Sequence, residues 1–473
     1  MGDRFKSLAE RQLFWKTLFE EKKIAKQLAV LATDHVDGVT YGDLPQYGQV
    51  HIVAQSASNP GDNFMSDTFI VTAQLTKRDD FGNETKHTLS AFIKVLPSNT
   101  MLRVIAYEAR THHREMDVYQ NFFGLLREMH PDQPIPLDVP DVYYTHMEEM
   151  VQGGADGSGT CTLLEDLKAE GYRMADKVEG ADYRHCQIAL TSLAHYHALT
   201  LSAVRKWTDP LTGELSKIPP AAKPITDGNK MHDTSLFQMI TDNIQSVIEF
   251  AKDVERPDLV EWIAGFVERL PEIVQIDTVE SCGPLACILH GDYWNNNMLF
   301  KYADDGKRPI ALKMIDFQVV RIGHPLSDVL YFLYISAKPE IRVRYMTDLL
   351  RHYYDTLTAD LRLLGISLNN YTWEDFLADF KKRSLMWMFM GIIVLSFVLN
   401  KKVLDRLVEM DAAERQKEPK VADGEIVKGA SGMSVEAEEL MKATMLSKKL
   451  SDNEVLTDRL IKLIDEVKAL HDS

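Results

Sequence analysis

ILHGDYWNNNMLF occupies residues 288–300, and LKMIDFQVV follows at 312–320. The first stretch sets His290, Gly291 and Asp292 at the end of a short apolar run, with Asn297 five residues beyond the aspartate. A loop that short can turn both side chains toward one cleft. The second stretch closes an apolar strand on Asp316, 24 residues after Asp292, which puts another carboxylate on the next hairpin. A lone Asp or Asn in a loop is ordinarily a cap or turn residue. Three of them, carried by successive hairpins at this spacing, read instead as a working set.

The chemistry that needs such a set is phosphoryl transfer. It requires a carboxylate to orient the attacking hydroxyl and accept its proton, and Asp292 suits that task. It also requires hard oxygen ligands for the magnesium that neutralises a polyphosphate, and Asn297 and Asp316 suit that one. Upstream, AFIKVLP places Lys94 in a strand otherwise lined with Phe92, Ile93, Val95 and Leu96. A buried ammonium is costly without an anionic partner, so Lys94 calls for a carboxylate or a phosphate. The following helix offers Glu115, backed by the apolar Val118, Tyr119 and Phe122; Glu108 is the competing choice. A Lys–Glu pair holding ATP phosphates is a recurrent kinase part.

Working outward, the first third reads as strands and the remainder as helices. Strands are predicted at 50–54, 67–76, 88–96, 141–147 and 160–166, with helices at 8–33 and 103–128. In the second strand Phe69, Val71, Ala73 and Leu75 alternate with Thr68, Ile70, Thr72 and Gln74. RDDFGNETKH, residues 78–87, reads as a polar turn. After residue 180 helices are predicted at 182–203, 234–252, 256–276, 325–364, 372–399 and 453–470, with brief strands at 286–290, 297–301 and 310–316. This is an α+β arrangement in two lobes. Its expected parts are an N-terminal helical extension (1–44), an N-lobe (45–166) and a helical C-lobe (167–473) with a mobile polar insertion at 411–434.

The chain has 473 residues, of which 45% are hydrophobic and 26% charged, and a formal net charge of −17. That balance suits a globular protein with a sizeable core and argues against a general nucleic-acid binder, which carries a basic face. Four scattered cysteines, Cys161, Cys186, Cys282 and Cys287, read as free thiols in a cytoplasmic protein. The N-terminus, MGDRFKSLAERQ, lacks the apolar core of a signal peptide, and Lys6 stands where a myristoylation signal wants Ser or Thr. Leu385 to Leu399 is apolar but shorter than the roughly 20 residues of a membrane span; it reads as a buried helix. His195 and His197, two apart on a helix, read as packing residues, as do Met386 to Met390. No obligate protein partner is evident.

These segments resemble the ecdysteroid kinase-like (CHK kinase-like) family, related to choline kinases and aminoglycoside phosphotransferases. The matching pieces are FIKVLP at 92–97, LLEDLKAEGYRMADK at 163–177, LAHYHAL at 193–199, LHGDYWNNNMLF at 289–300 and IDFQVVRIGHPLSDVLYFL at 315–333. The resemblance implies a protein-kinase-like fold, an N-terminal antiparallel sheet lobe plus a larger, mainly helical C-terminal lobe. It implies Asp292 as catalytic base, Asn297 and Asp316 as Mg2+ ligands, Lys94 on the ATP phosphates and Glu115 holding Lys94. Main-chain groups near Glu165 and Leu167 would meet adenine at the connection between lobes, and His290 and Asp328 would support the catalytic loop. The phosphate loop, NPGDNFMSDT at 59–68, departs from a glycine-rich pattern with Gly61 alone; its backbone between Asn63 and Ser66 is the candidate cradle. The implied activity is transfer of the ATP γ-phosphate to a hydroxyl of a small organic acceptor, a sterol-like alcohol such as an ecdysteroid or a xenobiotic. A choline- or aminoglycoside-type kinase and a nucleotide-binding pseudokinase scaffold are the alternatives.

Overall fold

The computed structural model describes residues 7–28, 38–44, 47–57, 66–78, 81, 83–97, 103–104, 106–107, 110–151, 157–176, 178–209, 212, 214–226, 229–275, 283–368, 370–399 and 453–473. Asn63, Glu108, Cys282 and the 411–434 segment lie outside these residues. Contacts divide the chain into two compact units. The first holds the residues up to Met116 together with Pro140–Tyr172; the second holds Asp117–Val139 and the described residues from Arg173 onward.

The first unit begins with α1 (Leu8–Lys22), started by a reciprocal cap in which Ser7 Oγ accepts from the Glu10 amide and the Glu10 carboxylate accepts from the Ser7 amide. Strands β1 (Val39–Leu44), β2 (Gly48–Ser56), β3 (Asp67–Arg78), β4 (Glu84–Val95), β5 (Val142–His146) and β6 (Cys161–Glu165) build one antiparallel sheet in the order β1-β2-β3-β4-β6-β5. The alternation read in β3 is realised: Phe69, Val71, Ala73 and Leu75 are buried in the same core as Phe14, Trp15, Leu18 and Phe19 of α1. Pairing of β3 with β4 continues to Arg78 opposite Glu84, so most of the polar 78–87 stretch outside the turn is strand. Ladder hydrogen bonds carry it there although Glu84, Thr85 and Lys86 stay exposed.

Helix α2 (Thr111–Asp117), a π-helical turn (Val118–Phe122) and α3 (Phe123–Met129) run on without a gap. Arg110, in the left-handed region at φ 56°, separates them from what precedes, so 103–128 is not one helix. Likewise α1 stops where Lys23 takes φ 50°, short of residue 33.

The second unit is mainly helical. After β7 (Tyr172–Met174) come α4 (Tyr183–Trp207), α5 (Asn229–Asp253), α6 (Pro257–Ala264) and α7 (Leu270–Gln275). Next are β8 (Cys287–Leu289), β9 (Met298–Tyr302), β10 (Pro309–Met314) and β11 (Arg321–Gly323). Helices α8 (Leu326–Ser336), α9 (Pro339–Leu363), α10 (Trp373–Val398) and α11 (Glu454–Asp472) complete it. The expected 325–364 helix breaks at Ala337, because Pro339 has no amide hydrogen and drives the residue before it to extended backbone. The main chain of Ala181 occupies the gap, donating to Ser336 O at 2.7 Å and accepting from the Lys338 amide at 3.1 Å. The expected 256–276 helix divides similarly around Gly265.

An α+β chain with an antiparallel-sheet unit and a larger helical unit is therefore what the structure holds. Leu385, Met386, Trp387, Met388, Phe389 and Met390 of α10 are all buried. No described helix is long and apolar enough to cross a membrane.

Candidate active site

In the first unit, the register of three strands places Lys94 between Thr68 of β3 and Thr162 of β6. Its neighbours Ile93 and Val95 point into the sheet core, so by the two-residue period of a strand Lys94 projects from the other face. Its Nζ lies 2.9 Å from Oε2 of Glu115 on α2. Lys94 is 6% and Glu115 2% exposed. A lysine in an apolar strand needs an anion beside it, and Glu115 supplies it. Ser66 is buried immediately before β3.

Around Glu165 and Leu167 the main chain is tightly self-bonded. The Glu165 amide donates to Asp141 O at 2.8 Å, the Leu167 amide to Glu165 O at 3.0 Å, and the Tyr172 amide to Leu167 O at 2.9 Å. The Glu165 carboxylate accepts from the Asp141 amide. Both amides are thus occupied.

In the second unit the HGD loop leaves β8 and returns on β9. The hairpin register sets Met298 opposite Met314, and the Ile315 amide donates to Asn297 O at 3.0 Å. The loops carrying Asn297 and Asp316 are thereby tied side by side. Asp316 itself sits in the left-handed region at φ 69°. Asn297 Nδ2 donates twice to Asp292, to the main-chain oxygen at 2.9 Å and to Oδ2 at 2.7 Å. Asp292 Oδ1 accepts from the hydroxyl of Tyr331 at 2.7 Å. Each carboxylate oxygen of the aspartate is therefore held by a different side chain.

Asp328, in the first turn of α8, fastens the start of the loop. Its Oδ2 accepts from the His290 amide at 2.7 Å and its Oδ1 from the Gly291 amide at 2.9 Å. His197 Nε2 reaches the same Oδ2 at 3.1 Å, while its Nδ1 meets the Tyr353 hydroxyl at 2.7 Å. Burial alone would raise the Asp328 carboxyl, but the His197 hydrogen bond, helped by the charge of Arg321, outweighs it and holds the group below its ordinary value. His290 ties the HGD loop to the residue after β10: Nε2 donates to Ile315 O at 3.0 Å, which leaves Nδ1 to accept from the Asp292 amide at 3.4 Å. Burial lowers its pKa, against the pull of three nearby aspartates, so the neutral tautomer that this pattern requires is the favoured one.

The profile of the ecdysteroid kinase-like family matches residues 60–366, a span that holds both the Lys94–Glu115 pair and the HGD loop. This chain belongs to the ecdysteroid kinase-like family. No curated protein matches the sequence. Among solved structures, a candidate aminoglycoside phosphotransferase from Ralstonia eutropha is similar at 12% identity and TM-score 0.36, over 93% of this chain and 98% of that one. A GDP complex of an aminoglycoside 2'-phosphotransferase-IIIa variant is similar at 10% identity and TM-score 0.34, over 97% of each chain.

In this ecdysteroid kinase-like chain the electrostatics of Asp292 follow from its surroundings. Burial is the largest influence and pushes its carboxyl above the ordinary carboxylate range. The Tyr331 hydrogen bond pulls it back, the Asp316 charge pushes it up again, and the Asn297 hydrogen bond opposes both. The donor set also fits a hard cation. With Nδ2 of Asn297 committed to Asp292, its remaining polar atom is the oxygen Oδ1, and Asp316 adds carboxylate oxygens on the adjoining loop. Among the described residues no group of three or more His, Cys, Asp or Glu forms a metal cage; a magnesium that shares its shell with phosphates does not require one.

Two contributors are not apparent from sequence reasoning. His197 reads as a packing residue, yet it is buried on Asp328. Its signal was available: a histidine inside an apolar helical segment needs a polar partner. Tyr331 lies in VLYFLYI and looks like any core aromatic; nothing in the local pattern separates it from Tyr334.

Proposed function

We propose that this chain is an ATP-dependent kinase that phosphorylates a hydroxyl of a small organic acceptor. The observation that carries the reading is the grip on Asp292: Oδ1 held by Tyr331, Oδ2 by Asn297, and the loop main chain by Asp328. A carboxylate fixed in this way can take the proton of an attacking hydroxyl, and burial pushes it above the ordinary carboxylate range. In the reaction the acceptor oxygen bonds to the γ-phosphorus while its proton passes to Asp292. The bond from the γ-phosphorus to the bridging oxygen breaks, and its electron pair leaves with ADP.

Lys94, oriented by Glu115, is assigned to the ATP phosphates. Carbonyl groups at Glu165 and Leu167 are assigned to the adenine. Mg2+ held by Asn297 Oδ1 and Asp316 would neutralise the polyphosphate. The family description favours a sterol-like alcohol of the ecdysteroid class as acceptor, and the sparse cysteine usage of the sequence favours the cytoplasm as the setting. The test is magnesium-dependent transfer from radiolabelled ATP to a panel of ecdysone, hydroxylated xenobiotics, choline and kanamycin, with wild type beside Asp292→Ala. Equal transfer by the two proteins removes Asp292 as the base, and no transfer by the wild type to any member removes the kinase reading.

A further inference from the structure

We infer that Tyr331 is a positioning residue for phosphoryl transfer, setting the plane of the Asp292 carboxylate through its hydroxyl. The inference rests on the reading of Asp292 as the base and adds to it a residue drawn from outside the loop. Three observations carry it. The Tyr331 hydroxyl donates to Asp292 Oδ1 at 2.7 Å, on the oxygen that Asn297 does not hold. Tyr331 stands three residues after Asp328 on α8, and residues at that spacing share a helix face. One helix face therefore fastens both the main chain of the loop, through Asp328, and the side chain of its aspartate, through Tyr331. The ring is itself braced, with Trp387 of α10 edge-on at 5.6 Å and 84°. Tyr331 is 8% exposed and Trp387 2%.

The two donors act differently. Asn297 alone would leave the carboxylate free to swing about the bond to its Cβ, presenting either oxygen lone pair to the acceptor. A second donor on the other oxygen stops that rotation. Each oxygen has two lone pairs, so one on each remains to receive the acceptor proton. Misplacement of a reacting group by about 1 Å can cost on the order of 100-fold in rate.

The experiment compares wild type, Tyr331→Phe and Asp292→Ala in transfer from radiolabelled MgATP to the acceptors of the panel, together with the ATP dissociation constant of each protein. Removing one hydroxyl keeps the ring and its contact with Trp387. The inference expects kcat of Tyr331→Phe to fall about 10- to 100-fold, with KM for the acceptor and the ATP dissociation constant within about twofold of wild type, because only orientation in the transition state is lost. A kcat equal to wild type overturns it. So does a variant that loses ATP affinity and kcat together, since Tyr331 would then be a structural prop. Failure of the underlying reading looks different: wild type inactive on every acceptor, or Asp292→Ala as active as wild type, removes the base itself and the role of Tyr331 with it.

Discussion

His197 Nε2 stands 3.1 Å from Asp328 Oδ2, and the two side chains are 0% and 1% exposed. The same carboxylate accepts the amides of His290 and Gly291, so one buried anion satisfies three donors. Its removal leaves all of them without a partner in a place water does not reach. Asp328→Ala is expected to cost about 3 to 5 kcal/mol of stability, the range for breaking a buried charged network, and to abolish transfer because the loop loses its anchor. Asp328→Asn keeps the shape but offers a single acceptor oxygen, so it should cost less. Urea unfolding of the three proteins checks this; an alanine variant within about 1 kcal/mol of wild type would mean that the network does not bear on the fold.

Lys94 and Glu115 allow structural and chemical roles to be separated. Removing one partner of a buried pair strands the other charge, at about 3 to 5 kcal/mol. Replacing both with apolar residues of similar volume is often close to neutral. Lys94→Met and Glu115→Gln should each lower the urea midpoint, and the Lys94→Met, Glu115→Leu double variant should recover most of it. Activity should stay lost in every variant that lacks Lys94, since no apolar side chain replaces an ammonium beside phosphates. Recovery of both stability and transfer in the double variant would assign the pair to structure alone.

Much of this was legible in the sequence because the decisive spacings are covalent. The β9–β10 hairpin, with about 3.3 Å rise per residue, sets Asn297 beside Asp316 once its strands are recognised, and Asp292 stands five residues before Asn297. Lys94 declared itself by charge in an apolar strand, and Glu115 by the apolar residues that follow it. What could not be read depends on long-range packing. Tyr331 is 39 residues from Asp292, and its hydroxyl has meaning only once α8 is laid against the loop. His197 and Asp328 are 131 residues apart. The breaks at Ala337 and Gly265 are hidden for a different reason. Helical periodicity survives such a break, so the period outweighs the local signals, Pro339 and Gly265.

Acid sensitivity should come from histidines buried in neutral form. His324 is 1% exposed, and its pKa is lowered from 6.5 to about 4, chiefly by burial. The Asp379 carboxylate opposes burial, and Arg383 reinforces it. A depressed histidine pKa means that the unfolded chain takes up the proton first. Stability is therefore full above the unfolded value of 6.5 and declines as pH falls toward about 4, where the folded form also protonates. His290, lowered in the same direction, adds to the slope. His324→Gln should flatten the decline between pH 6.5 and 4 by about 1 to 3 kcal/mol. Urea midpoints taken across that interval decide it, and parallel profiles for variant and wild type would count against His324.

Gly291 should be the least replaceable glycine of the site. It lies at φ +84°, and a Cβ there would stand 2.3 Å from Val319 O and 2.8 Å from Arg321 Nη1. The left-handed backbone alone costs a non-glycine residue about 1 to 2 kcal/mol, and the clash with a main-chain oxygen adds displacement of the loop. Because the Gly291 amide is one of the two main-chain bonds to Asp328, that displacement reaches Asp292, the next residue. Gly306 supplies the control, at φ +65° with nothing within 4 Å of where a Cβ would stand. Gly306→Ala should show the backbone cost only and keep full transfer. Gly291→Ala should lose at least about twice that stability and on the order of 100-fold in kcat. Equal behaviour of the two alanine variants would show that the close approach at Gly291 is relieved without moving the loop, and the tight coupling argued between residues 291 and 292 would not hold.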